Sequence, residues 1–288
     1  MKFCQSPSVT VVMRARNDIG IISRTLAAVV HQVPNDFELL AFDNGSTDGT
    51  REHLVAAGAI VVDVPAGQYN PGRVLNKGVA LARAPIVVFL NSDTVPETPD
   101  FFHRLTAPIR EGSAEVSYAR QTPRPDATPL VRRDYAWAFG DKPPPSGIFF
   151  SLAASAFLKT ELIRQPFSEE IQYSEDLAWF VLAKKRGVRV VYAADARAEH
   201  SHNYTLKETW KRFFEEGRAD SVIFQDGSKP VRPIRAAMGI VADVLRDIPA
   251  CVEAQNYAAL AEAPWIRLAQ RLGYVSGRLV GPRRHLNA

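Results

Sequence analysis

The chain has 288 residues, 46% hydrophobic, 23% charged and 9% aromatic, with a formal charge of +4, a balance that suits one large core or two smaller ones and excludes a disordered chain. No apolar stretch reaches the ~18–20 residues of a membrane span, and MKFCQSPSVTVV at the amino terminus lacks a long apolar segment with a small-residue cleavage site, so a cytoplasmic protein is expected. Cys4 and Cys251 stand far apart, which excludes a disulfide scaffold or a cysteine-rich metal site.

In chain order, the β-branched run at 9–12 predicts a first strand, and Ile19, Ile22, Leu26, Val29 and Val30 recur at helical spacing. LLAF at 39–42 reads as a second strand. The polar turn DNGSTDGT follows, with Ser46, Thr47 and Asp48 able to cap a helix that runs through Ala57 and stops at Gly58. IVVDV at 60–64, a helix near 72–83 and IVVFL at 86–90 continue the alternation. The class is therefore α/β, with a largely parallel sheet and right-handed crossovers.

Between 113 and 150 the pattern gives way to Pro- and Arg-rich sequence, too irregular for a continuous element. Its Tyr118, Arg120, Arg124, Arg132, Arg133 and Tyr135 suit a donor or acceptor side where arginines meet phosphate, and equally suit a solvent-facing loop. Order resumes with IFFSLAASAFLKTELI, a helix at 175–186 stopped by Gly187, a strand at 188–193 and a helix at 206–224. From 233 onward the chain reads as helical, interrupted at Pro249 and Pro264. Residues 229–288 hold nine Lys/Arg against four Asp/Glu, so the basic character belongs to this tail. It lacks the aromatic interleaving of a single-strand binder, and no nucleic-acid partner is expected. Trp265, Leu268, Leu272, Val275 and Leu279 beside five arginines fit an interfacial helix making peripheral contact with the inner face of the membrane. A helix packed on the catalytic domain needs the same stripe.

Four polar clusters close predicted strands: 14–18, 43–48, 91–94 and 199–202. Any one alone is explained by loops and caps; four together point to a single site beyond the carboxyl ends of the strands. Asp93 is the best metal-ligand candidate, because a strand-end carboxylate can hold a divalent cation that bridges phosphate oxygens. A turn-forming Asp beside Pro96 is the alternative. His200 or His202 would complete a mixed oxygen and nitrogen shell, which suits Mn²⁺ somewhat better than Mg²⁺. Two-residue spacing in extended chain sends both imidazoles to one face, although surface histidines without a ligand role remain the competing account. YSEDLAWFVLAKKRG places Ser174 as a cap and Glu175 and Asp176 in a first helical turn. There, carboxylates either stabilise the helix by ~0.3–1 kcal/mol or serve as a general base. The motif leaves both open.

VTVVMRARND, FDNGSTDGT, FLNSDTVP, YSEDLAW and EHSHNYT, in this order, resemble the family 2 inverting glycosyltransferases of GT-A fold, over about residues 8–225. QYNPGRVLNKGVALA, YARQTPRPDATP and HSHNYTLKETWKRFFEEGRA are most similar to bacterial rhamnosyltransferase-like members. The resemblance implies a single Rossmann-like nucleotide-binding sheet merged with an acceptor-side region, plus C-terminal helices. The implied layout is a catalytic domain at 1–228, with a nucleotide-sugar half at 1–112 and an acceptor and catalytic-base half at 113–228, followed by a helical extension at 229–288.

By the same resemblance, Asp43 meets the nucleotide base, with Arg14 and Asn17 beside the nucleotide. Gly72, Arg73 and Asn76 line the sugar-diphosphate side, and Ser92 and Asp93 lie at the diphosphate. Asp93 would bind Mn²⁺ or Mg²⁺ with His200 or His202, and Asp176, next to Glu175, would be the catalytic base. The donor would be dTDP-rhamnose, a UDP-sugar or a GDP-sugar, and the acceptor a glycan or lipid-linked glycan of cell-envelope polysaccharide synthesis. The sequence departs from the family pattern at Asn44 and Asn91, where carboxylates are common, and from the rhamnosyltransferase-like group at Leu75, where a basic residue is expected, and at 152 and 154, which lack asparagine. A noncatalytic nucleotide-sugar or glycan-binding scaffold of the same fold is the alternative. A nucleotidyltransferase is disfavoured because MRARNDIG is not a Gly-rich phosphate loop, and a dinucleotide oxidoreductase because no G-x-G-x-x-G follows an early strand.

Overall fold

The β-branched run near the start forms β1 (Val9–Ala15), the centre of a parallel ladder with β2 (Phe37–Asp43) on one side and β4 (Ile86–Asn91) on the other. β3 (Ile60–Asp63) extends the ladder beyond β2, also parallel. The computed structural model describes residues 6–65, 67–144, 147–225, 227 and 233–281; Cys4 lies outside them. Register sets the chemistry: Ala15 stands beside Asp43 and Arg14 beside Asn91, so the polar ends of three strands share one edge.

The connecting segments are α1 (Ile19–Val30), α2 (Thr50–Ala56) and α3 (Pro71–Leu81). The N-cap of α2 is Gly49, with φ +100° and no side chain to cap with, in place of the expected Ser46, Thr47 or Asp48; Asp48, one residue earlier, accepts from the Thr50 backbone N–H at 3.0 Å, and Gly58, with φ +85°, ends the helical stretch. Alternation along β1 separates two cores. Val9, Val11 and Met13 face α1 and α4 (Phe101–Arg110), whereas Val12 joins Leu40, Phe42 and the apolar side of α3 on the opposite face.

The second half departs from the expected pattern in three ways. The stretch 113–150 holds a strand, β6 (Val116–Thr122), and a helix, α5 (Pro129–Ala138), because long-range pairing overrides its irregular composition. The sheet is mixed: β7 (Ala154–Leu158) runs antiparallel to both β4 and β6, and the short β5 (Val95–Pro96) runs antiparallel to β8. β8 (Val190–Glu199) continues six residues beyond the expected end at 193 and lies parallel to β6, with a register shift after Ala119. Its last residue delivers His200 directly to the sheet edge. α6 (Lys159–Arg164) and α7 (Glu175–Lys185) complete this part. Ser174, expected as a cap, has φ +58°, not the extended backbone of an N-cap.

Two compact units divide the chain, the first comprising 1–122, 138–170 and 175–200, the second 123–137, 171–174 and 201–288. The second is helical. α8 (Leu206–Ile223) opens with a capping box between Thr205 and Glu208 and packs on α10 (Tyr257–Val280). That crossing is so close that a Cβ on Gly217 would fall 2.1 Å from the Tyr274 carbonyl oxygen and one on Gly277 2.0 Å from that of Phe214. α9 (Pro233–Glu253) precedes α10, and both helices run through the prolines expected to interrupt them. Pro249 and Pro264 lie on exposed faces, where water can take the carbonyl each leaves unbonded. The break falls instead at Gln255, with φ +52°. The expected stripe of α10 is not its packing face: Trp265, Leu272 and Leu279 stay exposed, while Ala263, Ala269, Gly273 and Gly277 are buried. Among the described residues no helix is long and apolar enough to cross a membrane.

Candidate active site

At the tips of β1 and β2 the polar groups hold one another. Asp43 accepts from the Ser46 hydroxyl at 2.5 Å and from its backbone N–H at 3.2 Å. Asn17, in the left-handed region with φ +54°, accepts through Oδ1 from the Thr47 N–H at 2.9 Å and donates its own N–H to the Ser46 hydroxyl at 3.0 Å. These bonds tie the loop after β1 to the loop after β2. Ser92, at the tip of β4, donates to Asp18 at 2.6 Å.

Arg14 forms the centre of a second cluster. Its guanidinium meets the Glu175 carboxylate at 2.7 Å and donates to Asn91 Oδ1 at 3.4 Å. Burial alone would lower the Arg14 pKa, but Glu175, Tyr69 and Asp176 together outweigh it and hold the cation above its ordinary range. Beside this ion pair sits Asp176, in the first turn of α7. Burial, reinforced by the Glu175 carboxylate, pushes the Asp176 pKa from 3.8 up to about 6, against the Leu177 and Leu152 N–H groups and the Arg14 charge, which pull it down. Its oxygens accept from those N–H groups at 2.8 and 3.3 Å. Asp176 is thus a carboxylate that titrates close to neutrality, as a base exchanging protons with a hydroxyl requires.

Asp93 follows β4 and faces His200, which follows β8, with Asp93 Oδ1 3.6 Å from Nε2. An ion ~2.1 Å from each atom can bridge that gap. The imidazole is oriented from behind: Nδ1 lies 2.8 Å from Gln121 Oε1, and Gln121 donates through Nε2 to the Ser151 hydroxyl at 2.7 Å. With Nδ1 as donor to Gln121, the Nε2 lone pair points at the Asp93 side, which is how outer partners fix a ligating histidine. These residues fit a divalent cation. His202 belongs to the second unit.

The remaining expected residues are engaged with protein. Asn76 clamps the Phe167 backbone through both ends of its amide at 2.9 Å, and Arg73 pairs with Glu169 at 3.2 Å. A Cβ on Gly72 would lie 2.2 Å from the Ser168 carbonyl oxygen, so close backbone packing requires glycine there. Within 113–150, Tyr118 is a buried strand residue, Arg120 pairs with Asp141 at 2.9 Å, and Arg132 donates to the backbone carbonyls of Arg124, Pro125 and Ala127. Gln121, Ser151 and the Arg14–Glu175 pair were not anticipated. Gln121 is itself buried in β6 between the less buried Arg120 and Thr122, so the polar stretch RQT carried no local signal that it faces inward, and nothing local links Arg14 to a residue 161 positions away.

Residues 10–168 match the family model described as glycosyl transferase family 2. The chain belongs to that family. Among its curated relatives, the O-antigen chain rhamnosyltransferase WbaN of Salmonella anatum is 24% identical over 193 residues, 62% of this chain and 61% of the relative. The O-antigen chain rhamnosyltransferase RfbN of Salmonella typhimurium is 25% identical over 225 residues, 73% of this chain and 71% of the relative. The chain thus spans between three fifths and three quarters of these two proteins. The fold is similar to that of the mannosyltransferase PcManGT of Pyrobaculum calidifontis, solved with GDP-Man and Mn²⁺: TM-score 0.65, 16% identity, 95% of this chain and 86% of that one. Against the pattern of the family 2 glycosyltransferases at Asn91, and that of their rhamnosyltransferase-like members at 75, 152 and 154, the departures have physical counterparts. Asn91 faces the Arg14 guanidinium, while Leu75, Leu152 and Ala154 are buried apolar positions that a charged or amide side chain would disturb.

Proposed function

We propose that this chain is an inverting glycosyltransferase that moves rhamnose or a similar hexose from a nucleoside diphosphate sugar to a hydroxyl of a glycan or lipid-linked glycan. The observation that carries the reading is Asp176, a carboxylate with its pKa raised to about 6 beside the part-buried Arg14–Glu175 pair, at a sheet edge that also presents Asp93 and His200. Similarity to two O-antigen rhamnosyltransferases makes dTDP-rhamnose the first donor to try, ahead of UDP- and GDP-sugars.

In this reading the nucleotide base lies toward Asp43, whose orientation Ser46 fixes, with Asn17 and Arg14 beside the nucleotide. Gly72, Arg73, Asn76 and Ser92 border the sugar-diphosphate side. Asp93 and His200 would hold Mn²⁺ or Mg²⁺, which when bound neutralises charge on the diphosphate. Asp176 accepts the proton of the acceptor hydroxyl as that oxygen forms a bond to the anomeric carbon. The bond from that carbon to the diphosphate oxygen breaks on the opposite face, and the nucleoside diphosphate leaves with the electron pair. A single displacement of this kind inverts the anomeric centre, as in the one-step logic of inverting glycosidases. Glu175 keeps Arg14 in place, and positioning with charge complementarity carries most of the rate.

The test is thermal stabilisation by dTDP, UDP and GDP, each with and without Mn²⁺, on the wild type and on Asp93→Ala, followed by transfer from the matching sugar nucleotide. Stabilisation by one nucleoside diphosphate that needs the metal and disappears in the variant is expected. Binding without any transfer by the wild type would favour the noncatalytic scaffold.

A further inference from the structure

α9 is amphipathic in the inverted sense for a surface helix. Its charged side faces inward: Asp247 is fully buried, bonded by Arg267 through two hydrogen bonds of 2.8 Å and approached by Arg133 at 2.9 Å, while Asp243 pairs with Arg271 at 2.5 Å. Arg267 also reaches Asp134 at 2.7 Å, and Cys251, one turn beyond Asp247, is buried as well. The opposite side presents Ile234, Met238, Val241, Leu245, Ile248 and Val252, which expose between 38% and 78% of their surfaces. A surface helix ordinarily shows water its charges and hides its apolar stripe. Here the orientation is locked, because rotating α9 to bury the stripe would strip Arg133 and Arg267 of their carboxylates inside the unit, a loss far larger than the apolar gain.

We infer that this face of α9 is the contact surface for a second copy of the same chain. The six apolar residues recur at alternating intervals of four and three, which is the narrow seam of paired helices and not the broad apolar face of a helix lying in a bilayer surface. The spacing is symmetric about position 243. Two antiparallel copies related by a two-fold axis therefore set Ile234 against Val252, Met238 against Ile248 and Val241 against Leu245, with no apolar residue left facing a polar one. The stripe offers on the order of 600 Å² per copy, near the ~800 Å² per partner of a standard stable interface and at the upper end of what a monomer leaves exposed. Exposed Ala237 and Pro249 flank it and enlarge the patch.

Charge favours the same occupant. Among the described side chains, the exposed charges on α9 are Arg246 and Glu253, one of each sign, so like faces do not repel. The arginines that a lipid-binding helix would turn toward anionic headgroups, Arg267 and Arg271, are instead paired with Asp247 and Asp243.

Sedimentation equilibrium of the full chain, without lipid, tests this directly. The wild type should sediment at twice the 31.8 kDa chain mass at micromolar concentration, and Val241→Glu with Leu245→Glu should halve that mass while leaving the circular-dichroism melt in place, since both positions face solvent. A second variant, Val241→Cys with Leu245→Cys, should form an oxidised covalent dimer, because the antiparallel register brings the two positions together. A monomeric wild type, a charge variant that still dimerises, or a cysteine pair that does not cross-link overturns the inference. So does a monomer that sediments with phosphatidylcholine/phosphatidylglycerol vesicles and loses that binding in the charge variant, which would assign the face to a membrane.

Discussion

The polar groups at the tips of β1 and β2 and those gathered around Arg14 and His200 serve one sheet edge but are built differently. In the first cluster the partners are neighbours in the chain or lie on adjacent loops: Asp43 with Ser46, and Asn17 with Ser46 and Thr47. In the second they come from remote segments, with Arg14 on Glu175, Asp93 on His200, and His200 on Gln121. Local bonds shape a loop that many sequences can form. Remote bonds hold charges in partial burial, where removing one partner leaves the other exposed to a full desolvation cost. Substitutions in the remote cluster should therefore change chemistry and stability strongly, and those in the local cluster weakly.

The largest effect is expected at Asp176. Asp176→Asn keeps the shape and removes the proposed base, so transfer should fall by about 10²–10⁴ while thermal stabilisation by the nucleoside diphosphate persists. In the wild type the transfer rate should drop as pH falls through about 6, where Asp176 takes up its proton. Stability runs the other way. The folded carboxyl holds its proton more tightly than the ordinary value of 3.8, so its contribution is complete below that pH and is lost as pH rises through about 6. Above that point the Asn variant should be more stable than the wild type, by roughly 3 kcal/mol at most. Melts at pH 4.0 and 7.5 check the sign: a variant less stable than wild type at the higher pH would mean that Asp176 is not strained by burial.

Arg14→Met comes next. It leaves Glu175 without its partner at a buried position, and the melt should show a loss of about 2–3 kcal/mol. Because Arg14 pulls the Asp176 pKa down, its removal should also move the acid limb of the transfer profile to higher pH. A stable variant with an unshifted limb would separate the ion pair from the base. In Gln121→Leu the melt should change little, but the imidazole loses the group that orients it, and the apparent affinity for Mn²⁺ in the nucleotide assay should fall by roughly 10-fold. Unchanged metal dependence would place His200 outside the cation shell.

The same contrast explains what the sequence allowed to be read. The parallel ladder, the order of the first helices and the strand-end positions of Arg14, Asp43 and Asp93 follow from hydrophobic periodicity and turn chemistry, which act over a few residues. The antiparallel β7, the strand hidden at 116–122 and the true end of β8 depend on pairings between segments tens of residues apart. For the same reason Glu175 could be placed at the start of a helix but not against Arg14. Gln121, read as part of an irregular stretch, could not be placed behind His200. On α9, periodicity alone identifies two faces; that the charged one turns inward is fixed by Arg133 and Arg267, which lie in other helices.

Ser46→Ala should give the smallest effect and the sharpest contrast. The hydroxyl makes the shortest of the bonds that Ser46 gives Asp43, yet the backbone N–H of residue 46 still reaches the same carboxylate, so one contact survives. A neutral hydrogen-bond donor lost from a loop should cost about 1 kcal/mol or less in the melt, and the wild-type pH profile of transfer should be retained, because no charge near Asp176 changes. The expected readout is a modest rise in the concentration of nucleoside diphosphate needed for half-maximal stabilisation, as Asp43 becomes freer to turn. A loss as large as that of Arg14→Met would show that the two loops act as one cooperative element with the remote cluster, and the division between local and remote bonds would then fail.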